Sequence, residues 1–325
     1  MMRAMVVGQS GLELREVPTP RPAANEVLVR VRAAGLNRAE LSMAAGHAHG
    51  ALGGMGSVIG LEWAGEVAAV GSDVTHVREG DRVMASGNGG YAEYAVTDWG
   101  RVSAIPGSNV SWEQAATMPI ALQTMHNAIV THAQLEKGGS ILIQGASSGV
   151  GLMGLQIAKY LGAGLVVGTS TDAGRRARLA EFGADLAVDT SEPSWPDQVL
   201  AATGGKGVDS IVDMVSAPVS RGNLLATRIL GRIVNVGRLG GSTGEFDFDL
   251  HAARRISYIG VTFRTRSLEE VREINRLMRA DLWDALEAGT LSLPIDRVFP
   301  LEQANEAQAH MRGNGHLGKI VLSVD

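Results

Sequence analysis

The sequence contains no cysteine. Disulfides, cysteine nucleophiles and thiolate-bound metals are excluded at once. No basic cluster exceeds a pair, Arg175-Arg176 or Arg254-Arg255, and the formal net charge is −5. Nucleic acid and anionic membrane are poor partners for such a surface. No apolar run reaches the length that spans a bilayer. The apolar part of Met1-Met-Arg-Ala-Met-Val-Val-Gly8 is too short for a secretory signal and reads as a first strand. The cytoplasm is the expected compartment. There is no internal repeat of solenoid length and no low-complexity tract.

What is present is apolar material. Hydrophobic residues make up 45% and charged residues 19% of 325 positions. That composition buries a large core, and the length predicts two domains rather than one.

One stretch organises the chain. Ser140-Ile-Leu-Ile-Gln144 reads as an apolar strand, Gly145-Ala-Ser-Ser-Gly-Val-Gly151 as a glycine-rich turn, and the residues to Leu161 as a helix. Gly145, Gly149 and Gly151 allow a tight turn and a close approach of backbone to a bulky anion. The helix start adds free N–H groups and the positive end of its dipole. Ala146, Ser147, Ser148 and Val150 complete the turn. This is how a dinucleotide pyrophosphate is held, although the spacing is not the strict G-x-G-x-x-G.

Residues 1–120 read as β-rich. Glu26–Ala33 alternates apolar and polar residues, and Glu62–Val70, Gly80–Ala85 and Tyr91–Val96 are further strands. Glycine-rich loops at Gly46–Gly56, with His47 and His49, and at Ser86–Gly90 separate them; the first reads as a mobile surface loop. Ser111-Trp-Glu-Gln114 has the pattern of a capping box and starts a helix that Pro119 interrupts. Across 121–262 strands alternate with helices. The strands are 140–144, 165–169, 186–188, 208–212, 232–236 and 257–261; the helices are 149–161, 173–182, 195–203 and 220–230. Short strands joined by helices predict right-handed crossovers and a doubly wound parallel sheet. Residues 263–325 then give a long helix at 268–288, a second at 301–312 and a closing strand at 319–324.

The order of several motifs resembles the medium-chain dehydrogenase/reductase superfamily, in its zinc-free quinone oxidoreductase-like branch. The motifs are Gly35-Leu-Asn37 with Leu41, Gly60-Leu-Glu-Trp-Ala-Gly65, Gly80-Asp-Arg-Val83, Gly90-Tyr-Ala-Glu-Tyr94, the Gly145–Gly151 turn with Ser148 in place of a glycine, and Gly318-Lys-Ile-Val-Leu322. They span nearly the whole chain. The resemblance implies a GroES-like catalytic domain at 1–120, a Rossmann NADP-binding domain at 121–262, and a return to the catalytic domain at 263–325. It also implies a homodimer paired through the sixth strand of the nucleotide sheet, Ser257–Val261, because an unpaired edge of that kind is a liability in a monomer.

Zinc-containing members place Cys and His where this chain has Asn37 and Leu61, and neither is a normal zinc ligand. No metal is expected. An NAD-preferring site holds an acidic residue at the end of the second strand. Here Thr169 and Ser170 stand there, Asp172 reads as an N-cap, and Arg175 and Arg176 follow. Hydroxyls with a guanidinium suit a 2′-phosphate, so NADPH is the expected cofactor, with Ser170 and Arg175 as discriminators. The alternative for both arginines is a solvated helix face. Further cofactor contacts are expected at the carboxyl ends of the strands: Val215 and Ser216, then Asn235, Val236, Gly237 and Arg238, then Thr262, Phe263 and Arg264. The resemblance adds Thr124, beside the nicotinamide, and Asn314.

Without zinc there is no Lewis acid for an alcoholate. A hydride-carrying cofactor needs only a positioned acceptor and modest polarisation. The expected substrate is a small electrophile, a quinone or activated carbonyl. Reduction of an enone or enoyl thioester is an alternative within the same class, and a cofactor-binding protein with little turnover is an alternative of another class. Asn37 is expected to face the acceptor through its amide, Leu61 to supply an apolar wall, and Tyr91 to donate a hydrogen bond or else sit in the core with its hydroxyl satisfied. Glu40 reads as structural, and His126 as a pocket or helix-end residue.

Overall fold

The computed structural model describes residues 1–50, 52–107 and 109–325. It divides into two compact units, one of Met1–Ile120 with Phe263–Asp325, the other of Ala121–Thr262.

The first unit is built on β-structure. Met2–Gly8 and Gly11–Val17 form an antiparallel hairpin. A seven-stranded sheet runs in the order Ile295–Pro300, Lys319–Ser323, Glu26–Gly35, Glu62–Val70, Arg82–Ser86, Val102–Ala104, with Tyr94–Asp98 added to the start of Glu26–Gly35. Its neighbours are antiparallel except for Ile295–Pro300 and Lys319–Ser323. The alternation in Glu26–Gly35 puts Val27, Val29 and Val31 into a core with Trp63, Met43, Ile59 and Leu322. Gly35 pairs with Glu62 on one side and Val321 on the other. That register brings the residues just past 35, the start of 62–70 and the start of 319–323 to one end of the sheet.

Helix Leu268–Glu287 starts at a true capping box, Ser267 with Glu270, and buries Val271, Ile274, Met278 and Leu282 at helical spacing. The box expected at Ser111 is half made. Ser111 accepts from the Gln114 N–H, while the Gln114 side-chain oxygen finds no partner. In the loop holding His47 and His49, Ala48–His49 pairs antiparallel with Leu52–Gly53.

The second unit is a six-stranded parallel sheet in the order Leu186–Val188, Leu165–Thr169, Ser140–Gln144, Val208–Asp213, Thr227–Asn235, Ser257–Gly260. This is the doubly wound Rossmann order, and its switch point lies between Ser140–Gln144 and Val208–Asp213. Two helices are shorter than the sequence pattern predicts. The expected 173–182 helix is α-helical only over Ala173–Ala177, and Leu179–Phe182 is a 3-10 turn closed by left-handed Gly183. The expected 220–230 helix stops at Ala226, and Thr227–Asn235 is strand. Thr227 turns its hydroxyl back onto the Asn223 carbonyl (2.7 Å) and leaves helical geometry. The register then slips: Val208 faces Thr227 but Ser210 faces Arg232. The surplus residues bulge out, with Leu230 at φ 62° and Ile229 and Leu230 exposed. Helix Phe248–Arg254 has no counterpart in the sequence reading.

Candidate functional site

In the second unit the chain leaves strand Ser140–Gln144 through Gly145, at φ 69°, and enters helix Gly149–Tyr160. The turn is fixed at several points. The N–H of Gly145 is donated to Thr169 Oγ1 (3.0 Å) and that of Ala146 to the Thr169 carbonyl (2.9 Å). Ser148 caps the helix: its Oγ accepts from the Gly151 N–H (3.1 Å) and donates to the Gly145 carbonyl (3.0 Å). A Cβ on Gly151 would lie 2.6 Å from the Gly145 carbonyl oxygen, so only glycine permits this close return. The N–H groups of Gly149 and Val150 head the first helical turn, where no intrahelical carbonyl reaches them. Ser147 and Val150 are half-buried; Ala146, Gly149 and Gly151 are buried.

The end of strand Leu165–Thr169 lies against this turn. Thr169 is buried, with its hydroxyl spent on Gln144 (2.8 Å) and Gly145. Ser170 donates its hydroxyl to Ser147 Oγ (3.1 Å), so the turn and the second strand meet through two serines. Asp172 accepts the Arg175 N–H (2.7 Å), and that bond, more than the nearby guanidinium, holds its carboxyl below the usual range. Arg175 lies with Nε 3.6 Å from Asp172 and its side chain 20% exposed. Arg176 is not on a solvated face. It is clamped to the Ser170 carbonyl (2.9 Å) and the Asp189 carboxylate (2.8 Å).

At the next two strand ends, Asp213 is buried and its Oδ1 accepts the N–H groups of Val215 (2.8 Å) and Ser216 (2.9 Å). Ser216 adopts φ 70°, rare for a residue with a Cβ. Its hydroxyl donates to the Gly237 carbonyl (2.7 Å) and accepts from Asn235 Nδ2 (2.5 Å). Val236 and Gly237 donate their N–H groups to the Asp213 carbonyl. Arg238 is exposed. Ser216, Asn235, Arg238, Ser242 and Tyr258 line a cleft of about 160 Å³. Thr124 is half-buried on helix Pro119–His126, and Thr262 follows the last strand of this unit. Phe263 and Arg264 belong to the first unit.

In the first unit, the sheet end described above gathers Asn37, Glu40, Leu61, Glu62, Tyr91 and Lys319, all buried. Lys319 Nζ donates to the Glu62 carboxylate, to the Leu36 carbonyl (2.7 Å) and to Asn37 Oδ1 (3.1 Å). Glu62 also accepts Asn37 Nδ2 (3.0 Å) and the N–H of Ile120 (2.8 Å). The amide donor of Asn37 is therefore turned inward onto Glu62. Glu40 accepts the N–H groups of Asn37 and Leu61 (both 2.7 Å) and the hydroxyl of Tyr91. Burial pushes the Glu40 carboxyl up to about 7, against the pull of those three donors and of Lys319. Burial and the Glu40 carboxyl together hold the Tyr91 phenol well above its ordinary range. The same unit places Arg264 against Gly50 and beside His49, whose imidazole is held low, first by burial and then by that guanidinium. Asn314, exposed at φ 58°, accepts from Arg38 (2.8 Å).

Sequence reasoning missed Gln144, Asp213, Asn223, Lys319 and the part played by Glu62. A signal existed for two of them: Gln144 and Asp213 are polar residues that follow the apolar runs Ile141–Ile143 and Ile211–Val212 at the carboxyl edge.

Among the described residues no group of three or more His, Cys, Asp or Glu could hold a metal ion, and no helix is long and apolar enough to cross a membrane. Residues 149–280 match the zinc-binding dehydrogenase family, and residues 23–107 match the alcohol dehydrogenase GroES-like domain. Quinone oxidoreductase of Homo sapiens is 31% identical over 331 residues, 99% of this chain and 98% of its own. The chain belongs to the medium-chain dehydrogenase/reductase superfamily, in the quinone oxidoreductase-like branch. Its β-rich GroES-like and Rossmann parts are those of that superfamily. Among solved members, a mycobacterial quinone oxidoreductase superposes with TM-score 0.87 at 26% identity, covering 99% of this chain and 100% of its own. A mycobacterial protein complexed with NADPH gives the same TM-score, identity and coverage.

Proposed function

We propose that this medium-chain reductase is an NADPH-dependent oxidoreductase that delivers hydride to a quinone or activated carbonyl compound. The observation that carries the cofactor assignment is the contact between Ser147 and Ser170, with Arg175 against Asp172 in the turn that follows and no carboxylate at Thr169 or Ser170. Two hydroxyls and a guanidinium favour a dianionic 2′-phosphate over a ribose hydroxyl. Gly145 to Gly151, with the amides of Gly149 and Val150, fit the pyrophosphate. Val215, Ser216, Asn235 to Arg238, Thr262 to Arg264, Thr124 and Asn314 are the remaining contacts in this reading. NADPH, when bound, supplies the hydride. The chain has no cysteine, and Asn37 and Leu61 stand at the metal-ligand positions of zinc-containing relatives, so polarisation of the acceptor is left to hydrogen bonds.

The experiment is NADPH oxidation followed against a panel of quinones, enones and enoyl thioesters. Turnover of quinones is expected. Tight NADPH binding without oxidation by any of them would defeat the reading. Arg175→Ala is expected to weaken NADPH about tenfold while leaving NADH unchanged; equal use of both cofactors by the unaltered protein would remove the discriminator role.

We further infer a homodimer paired along Ser257–Gly260. This strand is the last in its sheet, its outer edge has no partner among the described residues, and Tyr258 is exposed on it. Light scattering at working concentration tests this, and a monomeric mass would refute it.

A further inference from the structure

A buried line of hydrogen bonds runs beneath the candidate cofactor contacts of the second unit. The Gly145 N–H donates to Thr169 Oγ1 (3.0 Å), which donates to Gln144 Oε1 (2.8 Å). Gln144 Nε2 donates to Asn223 Oδ1 (2.7 Å), and Asn223 Nδ2 donates to Asp213 Oδ2 (2.9 Å). Asp213 Oδ1 accepts the N–H groups of Val215 and Ser216. Gln144, Thr169, Asp213 and Asn223 are all at most 1% exposed. The line joins the carboxyl ends of three strands to helix Ser220–Ala226 and ends at a turn on either side.

The chemistry of the line leaves one arrangement. Burial raises the Asp213 pKa, and its three donors oppose that and favour the carboxylate. Asn223 must therefore present its NH₂ to Asp213 and its oxygen to Gln144. Reversing the amide would set oxygen against carboxylate and NH₂ against NH₂. An aliphatic residue at 223 would leave Asp213 Oδ2 and the Gln144 NH₂, both buried, without the partner each has here.

We propose that Asn223 is a positioning residue for the dinucleotide, fixing the Gly145–Ser148 turn and the Val215–Ser216 turn in one register through Gln144 and Asp213. This rests on the reading that those turns hold NADPH. Each turn is held by bonds from outside itself. Ser216 sits at φ 70°, and Gly145 gives its N–H to a threonine that is itself held by Gln144. Strained or irregular backbone persists where its surroundings over-determine it, and here the surroundings are one connected network.

The test uses NADP⁺ binding by calorimetry to the full chain and to two variants. Asn223→Leu is expected to weaken NADP⁺ about tenfold or more. Asn223→Asp keeps the acceptor for Gln144 but sets a second carboxyl against Asp213. With one shared proton the pair restores the missing donor; with both ionised it repels. The ratio of variant to wild-type Kd is therefore expected to rise with pH as the pair loses its shared proton. Taking the ratio removes the titration of the 2′-phosphate, which is common to both proteins. The other titratable group facing Asp213 is Tyr258, held above the ordinary tyrosine range by burial and by the Asp213 charge, with the Arg238 guanidinium pulling the other way. A merely structural role for Asn223 would lower stability without producing this pH-dependent ratio. If Asn223→Leu does not fold, Asn223→Asp decides. An Asn223→Leu affinity within about twofold of wild type, or an Asn223→Asp ratio independent of pH, would overturn the inference alone. Failure of the wild-type protein to bind NADP⁺ would overturn it together with the cofactor reading.

Discussion

The phosphate turn of the second unit and the buried charge cluster of the first are held together in opposite ways. The turn is built from backbone: glycines at 145 and 151, a serine cap, and neutral hydrogen bonds to a neighbouring strand. The cluster is built from buried side chains: the Glu62–Lys319 ion pair, and the Glu40 carboxyl accepting the neutral Tyr91 hydroxyl, all closed off from water. A backbone site spends little on desolvation and tolerates variation in side chains, provided the glycines stay. A buried ion pair depends on both partners, because either one alone is a charge without solvent.

The largest expected break in this contrast is Lys319→Met. It strands the Glu62 carboxylate and should cost the first unit about 3–5 kcal/mol. Urea unfolding measures it. The double variant Glu62→Gln with Lys319→Met should recover part of the loss, and no recovery would mean that Lys319 acts through packing.

Glu40 comes next. Its carboxyl lies at about 7 in the folded protein against 4.5 as a free group. The folded state binds the extra proton between those values, so stability falls as pH rises through that window. Glu40→Gln mimics the protonated form and lacks this dependence. Relative to wild type it should gain roughly 1.4 kcal/mol per pH unit across the window and level off above it. Parallel melting curves for the two proteins across that range would reject the raised carboxyl.

In the second unit the effects are smaller and read in ligand binding. Gly151→Ala forces a Cβ to within 2.6 Å of the Gly145 carbonyl oxygen. It should open the turn at a cost of about 1–3 kcal/mol, seen chiefly as weaker NADPH binding. Ser148→Ala removes the cap and should cost about 1 kcal/mol in thermal stability. If Ser148→Ala proved the more harmful of the two, close backbone approach would not be what the turn depends on.

Legibility follows the same division. The phosphate turn could be read because its parts are consecutive: an apolar run, three glycines and an amphipathic continuation. Helix Leu268–Glu287 could be read because its helical periodicity is unbroken. The cluster could not, since Glu62 and Lys319 stand 257 positions apart and meet only through the pairing of Gly35 with both of their strands. A lysine in an apolar closing strand gives no sign that it will be buried. The inward turn of the Asn37 amide was hidden for the same reason, since its partner is fixed by register. The early end of helix 220–226 was a local signal overruled: Ile229, Leu230 and Gly231 fit either pattern, and the slip opposite Val208 selected strand.

The return of the chain to its first sheet also sets an order of events during synthesis. Lys319–Ser323 lies beside Glu26–Gly35, so until it emerges that strand carries an open edge and Glu62 has no cation. The second unit is contiguous, and all of its residues leave the ribosome before the return segment does. At about 5–20 residues per second, the part of the chain made first must wait roughly a quarter of a minute to a minute, half-built and open-edged, while a later part completes itself.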